Sequence, residues 1–155
     1  MITKNKNYYL KVEHLNSESI GSIMNGFGIN PTDLISFESL IMSTMVAPGD
    51  KNPPIAWSLI DFYDVDYEKD SKTLIPYDCK DENTYIITNP EGTTFIENAS
   101  AKVVAISSAI FFISYLLTKR NEDVLHNLYD SLRALAYSTE FLNEQEQEQY
   151  FKLTD

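Results

Sequence analysis

Ten residues in the middle of the chain, from Asp61 to Asp70, hold the densest set of side chains that could do chemistry. Alternating carboxylates of this kind are typical of calcium-binding loops, which take oxygen ligands from positions 1, 3, 5 and 12. A loop that starts at Asp64, however, has Lys69 in place of the required glycine and Ile75 in place of the bidentate glutamate. The pattern therefore argues against an EF-hand and predicts the solvent-exposed edge of a strand that runs into a loop.

The sequence offers little for nucleophilic or zinc chemistry. Cys79, the single cysteine, lies in a charged loop, and His126 lies on the polar side of a predicted helix without a third residue to complete a triad. His14 has no second histidine, cysteine or carboxylate at ligand spacing, so a zinc site is not supported. Phosphate-binding glycine loops and nucleophile elbows are missing from the sequence too. We therefore expect a protein that is not an enzyme and that uses no metal and no cofactor.

Local patterns in the first part of the chain predict two strands and two helices. A short edge strand is expected at 7–14 and a brief helix at 17–24. A longer helix is expected at 34–45, capped by the run from Asn30 to Asp33 and stopped by Pro48-Gly49. After a loop at 51–54, a strand at 55–65 should place Trp57, Leu59 and Phe62 on a buried face.

Three further short strands are predicted at 73–77, 84–88 and 93–96. The last two are joined by Asn89-Pro90-Glu91-Gly92, a hairpin signal because proline fixes φ and glycine accepts a positive φ. Pro76 cannot donate to a strand ladder, so its strand should lie at an edge or end there. The strand region therefore predicts a small antiparallel sheet.

Helices are predicted to follow the strands. The run from Ser100 to about Lys119 is apolar around its whole circumference, which predicts a helix that is buried on several sides and packed on the sheet. Its apolar part is too short and too rich in hydroxyl groups for a membrane span. A second, amphipathic helix should begin after an N-cap at Asn121, and a short acidic helix is expected at 143–151. The order predicts a single α+β domain over 1–155, with 1–25 as an N-terminal extension.

Charge restricts the possible partners. The chain has 12 basic and 23 acidic side chains, a net charge of −11, which repels phosphate backbones and argues against direct nucleic-acid binding. Residues 61–97 hold ten acidic side chains against three lysines, a net charge of −7, so the negative charge is concentrated there. The acidity either provides solubility or forms a face that docks on a basic protein. The residues expected on such a partner-binding face are Asp61, Asp64, Asp66, Glu68, Asp70, Asp78, Asp81 and Glu82.

The sequence also indicates the cellular compartment in which the protein is expected. One cysteine cannot form an internal disulfide, which fits a reducing environment. The first residues, Met1 to Asn7, do not contain the apolar core of a signal peptide. We therefore expect a cytoplasmic protein without a membrane partner.

Short motifs follow one another in a recognisable order from about residue 26 onward. They are Gly26-Phe27-Gly28, Phe37-Glu38-Ser39-Leu40, Trp57 with Phe62-Tyr63, Leu74-Ile75-Pro76, Ser100-Ala101, and Leu128-Tyr129 with Leu132-Arg133. In this order they resemble the plasmid-borne antirestriction proteins of the ArdB/KlcA family. Two departures mark a divergent member: the family's Asn-Gly-Gly turns around the tryptophan strand are absent, and Lys102-Val103-Val104 replaces the small residues that start its central helix.

The resemblance implies an ArdB/KlcA-like fold and a function. Members of that family counteract type I restriction and so protect incoming plasmid or phage DNA, and they are not enzymes. The expected mode is contact with a protein partner, either a restriction–modification complex or another defence protein. A small acidic immunity or antitoxin-type protein, which neutralises a toxin by docking on it, is the alternative. Composition fits both functions equally well, and only the order of the motifs favours antirestriction.

Overall fold

A computed structural model describes residues 9–46 and 56–154. Within them the chain forms five helices and two small antiparallel sheets, an α+β arrangement as the sequence predicts, although with two sheets instead of one. Four predicted features lie outside the described residues: the start of the first strand at 7–8, the helix stop at Pro48-Gly49, the loop at 51–54 and the start of the second strand at Ile55.

Three strands form the first sheet, called sheet A. They are β1 (Leu10–His14), β2 (Ser58–Asp64) and β3 (Lys69–Ile75), paired antiparallel in the order β1-β2-β3. The edge strand β3 ends immediately before Pro76, which confirms the position that the proline predicted. It starts at Lys69, earlier than expected, because its polar first half completes the ladder with the end of β2.

The inward face of β2 differs from the expected one. Ser58, Ile60, Phe62 and Asp64 are buried, whereas Leu59 lies on the opposite face and is half-buried. Trp57 is buried as predicted but precedes the strand. The two-residue alternation of a pleated strand therefore starts only at Ser58, and counting it from Trp57 placed Leu59 on the wrong face.

The second sheet, sheet B, is a hairpin of β4 (Thr84–Thr88) and β5 (Phe95–Ser100). The expected turn is confirmed: Gly92 has a φ of 74°, and the Asn89 side chain accepts hydrogen bonds from the backbone N–H groups of Thr93 and Thr94. Val46 adds an isolated antiparallel bridge to Ile87. Sheet B is thereby attached to the end of the preceding helix.

Two helices precede β2. Helix α1 is Ile20–Gly26, slightly later than predicted, and α2 runs from Pro31–Ser36 through a π-helical stretch, Phe37–Met42, to a last turn at Ser43–Met45. A reciprocal capping box between Asn30 and Asp33 starts α2, as the cap residues predicted. Hydroxyl groups at Ser39, Ser43 and Thr44 donate to carbonyl oxygens four residues earlier, a bonding mode that bends helices.

Helix α3 (Ala101–Lys119) is the centre of the domain. It begins at Ser100, whose side chain accepts a hydrogen bond from the N–H of Val103. It packs against α2, both sheets and the two helices that follow, so Ile106, Phe112 and Ile113 are all but inaccessible to solvent. Phe112 forms an aromatic cluster with Phe37 and Trp57, at ring-centroid distances of 5.0 and 6.5 Å. Burial on several sides confirms the prediction for this helix.

The same helix has the length and the hydropathy of a membrane span, with a mean of 1.8 over 18 residues. Of that window, 67% is buried inside the domain. A helix at the centre of a folded domain passes the same test of length and composition, so this property is weak support for a membrane location.

Two more helices complete the fold, α4 (Asp123–Ala136) and α5 (Glu144–Thr154). Glu122, not Asn121, occupies the N-cap position of α4, and the Asn121 carboxamide is hydrogen-bonded to His126 instead. Helix α5 starts with a capping box in which Asn143 and Glu146 exchange side-chain hydrogen bonds. Tyr150 and Leu153 bury it against the domain, as predicted, while Phe151 is half-buried.

Candidate functional site

The turn between β2 and β3 is the most exposed part of sheet A. Four residues, 65–68, connect the strands, and Glu68 has a φ of 50°. The Asp64 carboxylate accepts a hydrogen bond of 3.3 Å from the Tyr67 N–H and so stabilises the turn. Two large apolar side chains face solvent here, since Val65 is 46% and Tyr67 76% exposed. We call residues 64–70, the turn with the strand ends beside it, the hairpin end.

Carboxylates alternate with these apolar side chains along the turn. Asp66, Glu68 and Asp70 are exposed, whereas Asp64 is buried. Asp70 accepts a hydrogen bond of 2.6 Å from the Tyr9 hydroxyl, and this bond is the main reason why the pKa of Tyr9 rises to about 12. The hairpin end therefore combines an exposed aromatic ring with three exposed carboxylates and one lysine, Lys69, whose Nζ lies 5.7 Å from the centre of that ring.

A groove of about 810 Å³ separates the hairpin end from α4. Its lining has both signs of charge, because Lys69, Lys72 and Arg133 lie among its carboxylates. Within α4 it is lined by Asn127, Asp130 and Ala134, among others. The groove shares Lys69 with the hairpin end, and the Lys69 Nζ lies 5.7 Å from the centre of the Tyr67 ring. Within the turn itself, residues 65–68, the charged side chains are both carboxylates, Asp66 and Glu68.

The eight residues predicted to form a partner-binding face do not form one continuous surface. Asp61, Asp64, Asp66, Glu68 and Asp70 lie on or beside the hairpin end, while Asp78, Asp81 and Glu82 lie in the loop after β3. Because β2 and β3 are antiparallel, that loop lies at the other end of sheet A, about 20 Å away along the strand. A partner that contacts the hairpin end directly would therefore meet only the first group.

Several of these carboxylates have roles within the fold. Asp61 is half-buried and lies between Lys11 and Lys72 across the strands, an arrangement that stabilises a sheet. In the loop, Asp78 accepts from the N–H of Lys80. Asp81 accepts from the N–H of Asn83 and, at 2.6 Å, from the Tyr85 hydroxyl. Of the exposed carboxylates in the predicted set, Asp66 and Glu68 flank the exposed Tyr67 side chain, whereas Glu82 lies in the loop after β3.

The loop after β3 also contains an arrangement that the sequence did not reveal. His14 Nε2 lies 2.9 Å from Cys79 Sγ, and His14 Nδ1 lies 3.0 Å from Ser58 Oγ. The Ser58 hydroxyl is in turn 2.6 Å from the carbonyl oxygen of Tyr77. Spacing along the chain suggested that His14 has no neighbour that could be a metal ligand. This expectation is wrong, because the fold brings two such residues next to it. Cys79 is 65 positions away from His14 and Asp78 lies beside the same pair.

The topology of sheet A explains this juxtaposition. His14 ends β1 and pairs with Ser58, which starts β2 and pairs with Ile75 at the end of β3. The loop that carries Asp78 and Cys79 therefore leaves the sheet beside the histidine. By contrast, His126 lies exposed on α4, where its Nε2 is hydrogen-bonded to the Asn121 carboxamide oxygen, and the cysteine lies against His14 instead. The only signal in the sequence was the presence of one histidine and one cysteine near strand ends.

No family model matches the chain, and a search of curated proteins finds no significantly similar sequence.

Proposed function

We propose that this chain is an antirestriction protein, which counteracts type I restriction by docking on a protein of the restriction–modification system. The single observation that supports docking is the hairpin end, where Tyr67 is 76% exposed and is flanked in the turn by the exposed residues Asp66 and Glu68. The choice of a restriction complex as the partner rests on the order of motifs that resembles the ArdB/KlcA family. The finer assignment of an ArdB/KlcA-like fold rests on the same resemblance.

The apolar part of the hairpin end supports contact with a protein. Tyrosine is enriched among the residues that contribute most to binding energy, and a polar rim around it excludes water. Asp66 and Glu68 flank Tyr67 in the sequence and are themselves exposed, so they supply such a rim. An aromatic anchor on a four-residue turn fits a pocket or groove of a partner.

The charge of the hairpin end favours a basic partner. A surface with several carboxylates speeds association with a positively charged surface, and it repels nucleic acid. Proteins that act on DNA carry basic DNA-binding surfaces. We therefore propose that the hairpin end docks on such a surface of the restriction complex, without turnover and without direct DNA binding.

The experiment is a plating assay with unmodified phage on a host that has an active type I restriction system. Expression of the chain should raise the plating efficiency, and it should change nothing in a host without restriction or with modified phage. Protection of unmodified DNA would not result from the alternative, a toxin-neutralising protein, although such a protein would use the same kind of acidic surface. Unchanged plating at confirmed expression of folded protein would refute antirestriction.

A pair of aromatic variants tests the docking surface. Replacing Tyr67 with alanine should reduce protection at least tenfold, since anchor residues of this type contribute about 2 kcal/mol or more to binding. The matched control is Phe95→Ala, because Phe95 is 65% exposed and lies on sheet B. Equal protection by both variants and the parent protein would exclude the hairpin end as the contact surface.

A further inference from the structure

We propose that His14, Asp78 and Cys79 form a binding site for a zinc-type transition-metal ion. Each of the three residues offers one ligand atom, and these atoms all lie within 4.8 Å of one another. The site lies at the end of sheet A opposite to the hairpin end, so the inference does not depend on the proposed docking. It differs from the expectation of a metal-free protein that the sequence alone supports.

The hydrogen bonds of His14 fix its tautomer in the form that a metal ligand needs. The Tyr77 carbonyl can only accept, so the Ser58 hydroxyl uses its proton there, at 2.6 Å. Ser58 Oγ must then accept the proton of His14 Nδ1, 3.0 Å away. The lone pair of the neutral ring is left on Nε2, which is the atom that faces Cys79.

The hydrogen bonds that orient His14 run through two buried residues. Ser58 is completely buried in the ladder between β1 and β3, and Tyr77 is buried next to the two loop ligands. Metal-binding histidines almost always donate their second ring N–H to a carboxylate, a backbone carbonyl or water, which orients the ring. Here the Ser58 hydroxyl takes that place and connects the ring to the Tyr77 carbonyl. Ser58 therefore has the position of an outer-sphere residue that connects the strand ligand to the loop that holds the other two.

The ligand set indicates the kind of ion. Calcium and magnesium require several oxygen ligands, whereas an imidazole, a thiolate and a carboxylate are the combination used for zinc and cobalt. Three protein ligands leave the fourth tetrahedral position to water or to a group of a partner, as in zinc sites that stay open. We infer an exposed, exchangeable site, since His14 and Cys79 both face solvent.

The distances allow the ion to replace the thiol proton. Zinc bonds of about 2.0 and 2.3 Å at a tetrahedral angle separate the nitrogen and the sulfur by about 3.5 Å. In the structure the two atoms are 2.9 Å apart and hydrogen-bonded, so the loop has to open by about 0.6 Å. Binding converts the thiol to a thiolate, releases its proton to solvent, and joins β1 to the loop after β3.

The test is a calorimetric titration of the purified chain with Zn²⁺, repeated with Co²⁺ to record the thiolate-to-cobalt charge-transfer band. We expect one ion per chain, the cobalt band, a higher melting temperature with zinc, and protection of Cys79 from alkylation by iodoacetamide. Cys79→Ser and His14→Gln should abolish stoichiometric binding, and Ser58→Ala should weaken it about 10- to 100-fold.

The chain supplies a matched control, because it has only two histidines. His126→Gln removes the other imidazole, which is exposed on α4, and should leave zinc affinity, the cobalt band and protection of the thiol unchanged. Circular dichroism of each variant checks that it is folded. Zinc binding that survives Cys79→Ser, or that falls equally in both histidine variants, would overturn the site. So would the lack of a one-to-one complex in the folded parent protein.

Discussion

Arg120 binds both carboxylate oxygens of Asp33, with Nη1–Oδ1 and Nη2–Oδ2 distances of 2.9 Å. Its Nη2 also donates to the carbonyl oxygen of Gly28 at 2.8 Å. Asp33 is at the same time the partner of the N-cap residue Asn30 in the capping box of α2, and only 8% of its side chain is exposed. Since Arg120 ends α3, a single side chain fixes the start of one helix to the end of another, 87 positions away.

Loss of this pair should reduce stability strongly. Arg120→Ala leaves the Asp33 carboxylate buried without its cation, which we expect to lower the free energy of unfolding by about 3 kcal/mol. Arg120→Lys should recover only part of this loss, because an ammonium group cannot bind both oxygens in the same plane. Urea unfolding followed by circular dichroism measures the change. The control is Arg133→Ala. Arg133 is the other arginine of the chain and is exposed, so this variant should lower the free energy of unfolding by less than about 1 kcal/mol. Equal losses in both alanine variants would contradict this account.

The centre of α3 is the second place where a single change should be decisive. Phe112 is fully buried between Phe37 and Trp57, so Phe112→Ala should cost about 3–5 kcal/mol, and Phe112→Asp should prevent folding by placing a charge in the core. Ile110→Asp should act in the same way, since Ile110 is 4% exposed. Thermal melting checks this, with Phe95→Ala as the exposed aromatic control. Variants of Phe112 that melt like the parent protein would show that the helix is not buried.

Alkaline pH should weaken the fold through Tyr85. The pKa of Tyr85 is raised from 10.0 to about 12, mainly by burial and secondly by the hydrogen bond to Asp81. Below pH 10 both the folded and the unfolded chain keep this proton, so its contribution to stability is complete. Between pH 10 and about 12 only the unfolded phenol ionises, and the free energy of unfolding falls as pH rises. Asp81→Asn should lower the pKa of Tyr85, though not fully to 10, because burial remains.

The measurement is a titration of phenolate absorbance, in which the parent is compared with Asp81→Asn and Tyr85→Phe. The difference between the parent and Tyr85→Phe isolates this tyrosine from the others whose pKa is also raised, Tyr9, Tyr77 and Tyr150. An unchanged transition of Tyr85 in Asp81→Asn would show that the negative charge of Asp81 has no part in the shift.

Features with local causes could be predicted from the sequence. The bounds of β4, the turn from Asn89 to Gly92 and the end of β3 before Pro76 each depend on residues within a few positions. The capping box of α2 follows from the same kind of local chemistry. The burial of α3 could be predicted because a helix that is apolar around its whole circumference needs an apolar environment on several sides, and its hydroxyl-rich apolar run favours a domain core over a membrane.

Features that depend on pairing between distant strands could not be predicted. The contact of His14 with Cys79 requires the register of three strands, and the register of β1 on β2 leaves no mark in either strand alone. For the same reason the eight carboxylates, which are close in the sequence, separate to the two ends of sheet A. Their shared sign of charge suggested one surface, but the antiparallel ladder places Asp66 and Asp81 far apart.

The structure also determines which charge reversals give a clean test of the hairpin end. On sequence grounds the variants would be Asp64, Asp66 and Asp70 to lysine, with Glu144, Glu146 and Glu148 as the control. Asp64 is buried and supports the turn, and Asp70 binds the Tyr9 hydroxyl. Glu146 accepts hydrogen bonds from Ser100 and Asn143 at the start of two helices. These three residues are therefore unsuitable, since their replacement would change the fold together with the charge.

Two pairs of charge reversals remain, and they are well matched. Asp66→Lys with Glu68→Lys, and Glu144→Lys with Glu148→Lys, each replace two exposed carboxylates and change the net charge equally. Neither pair should alter thermal stability by more than about 1 kcal/mol. The hairpin pair should slow association with a type I restriction complex about tenfold at low salt and reduce protection of unmodified phage, because charges at an interface mainly steer encounter. The difference from the α5 pair should shrink as salt rises. Full activity of both double variants would mean that the acidity serves solubility alone.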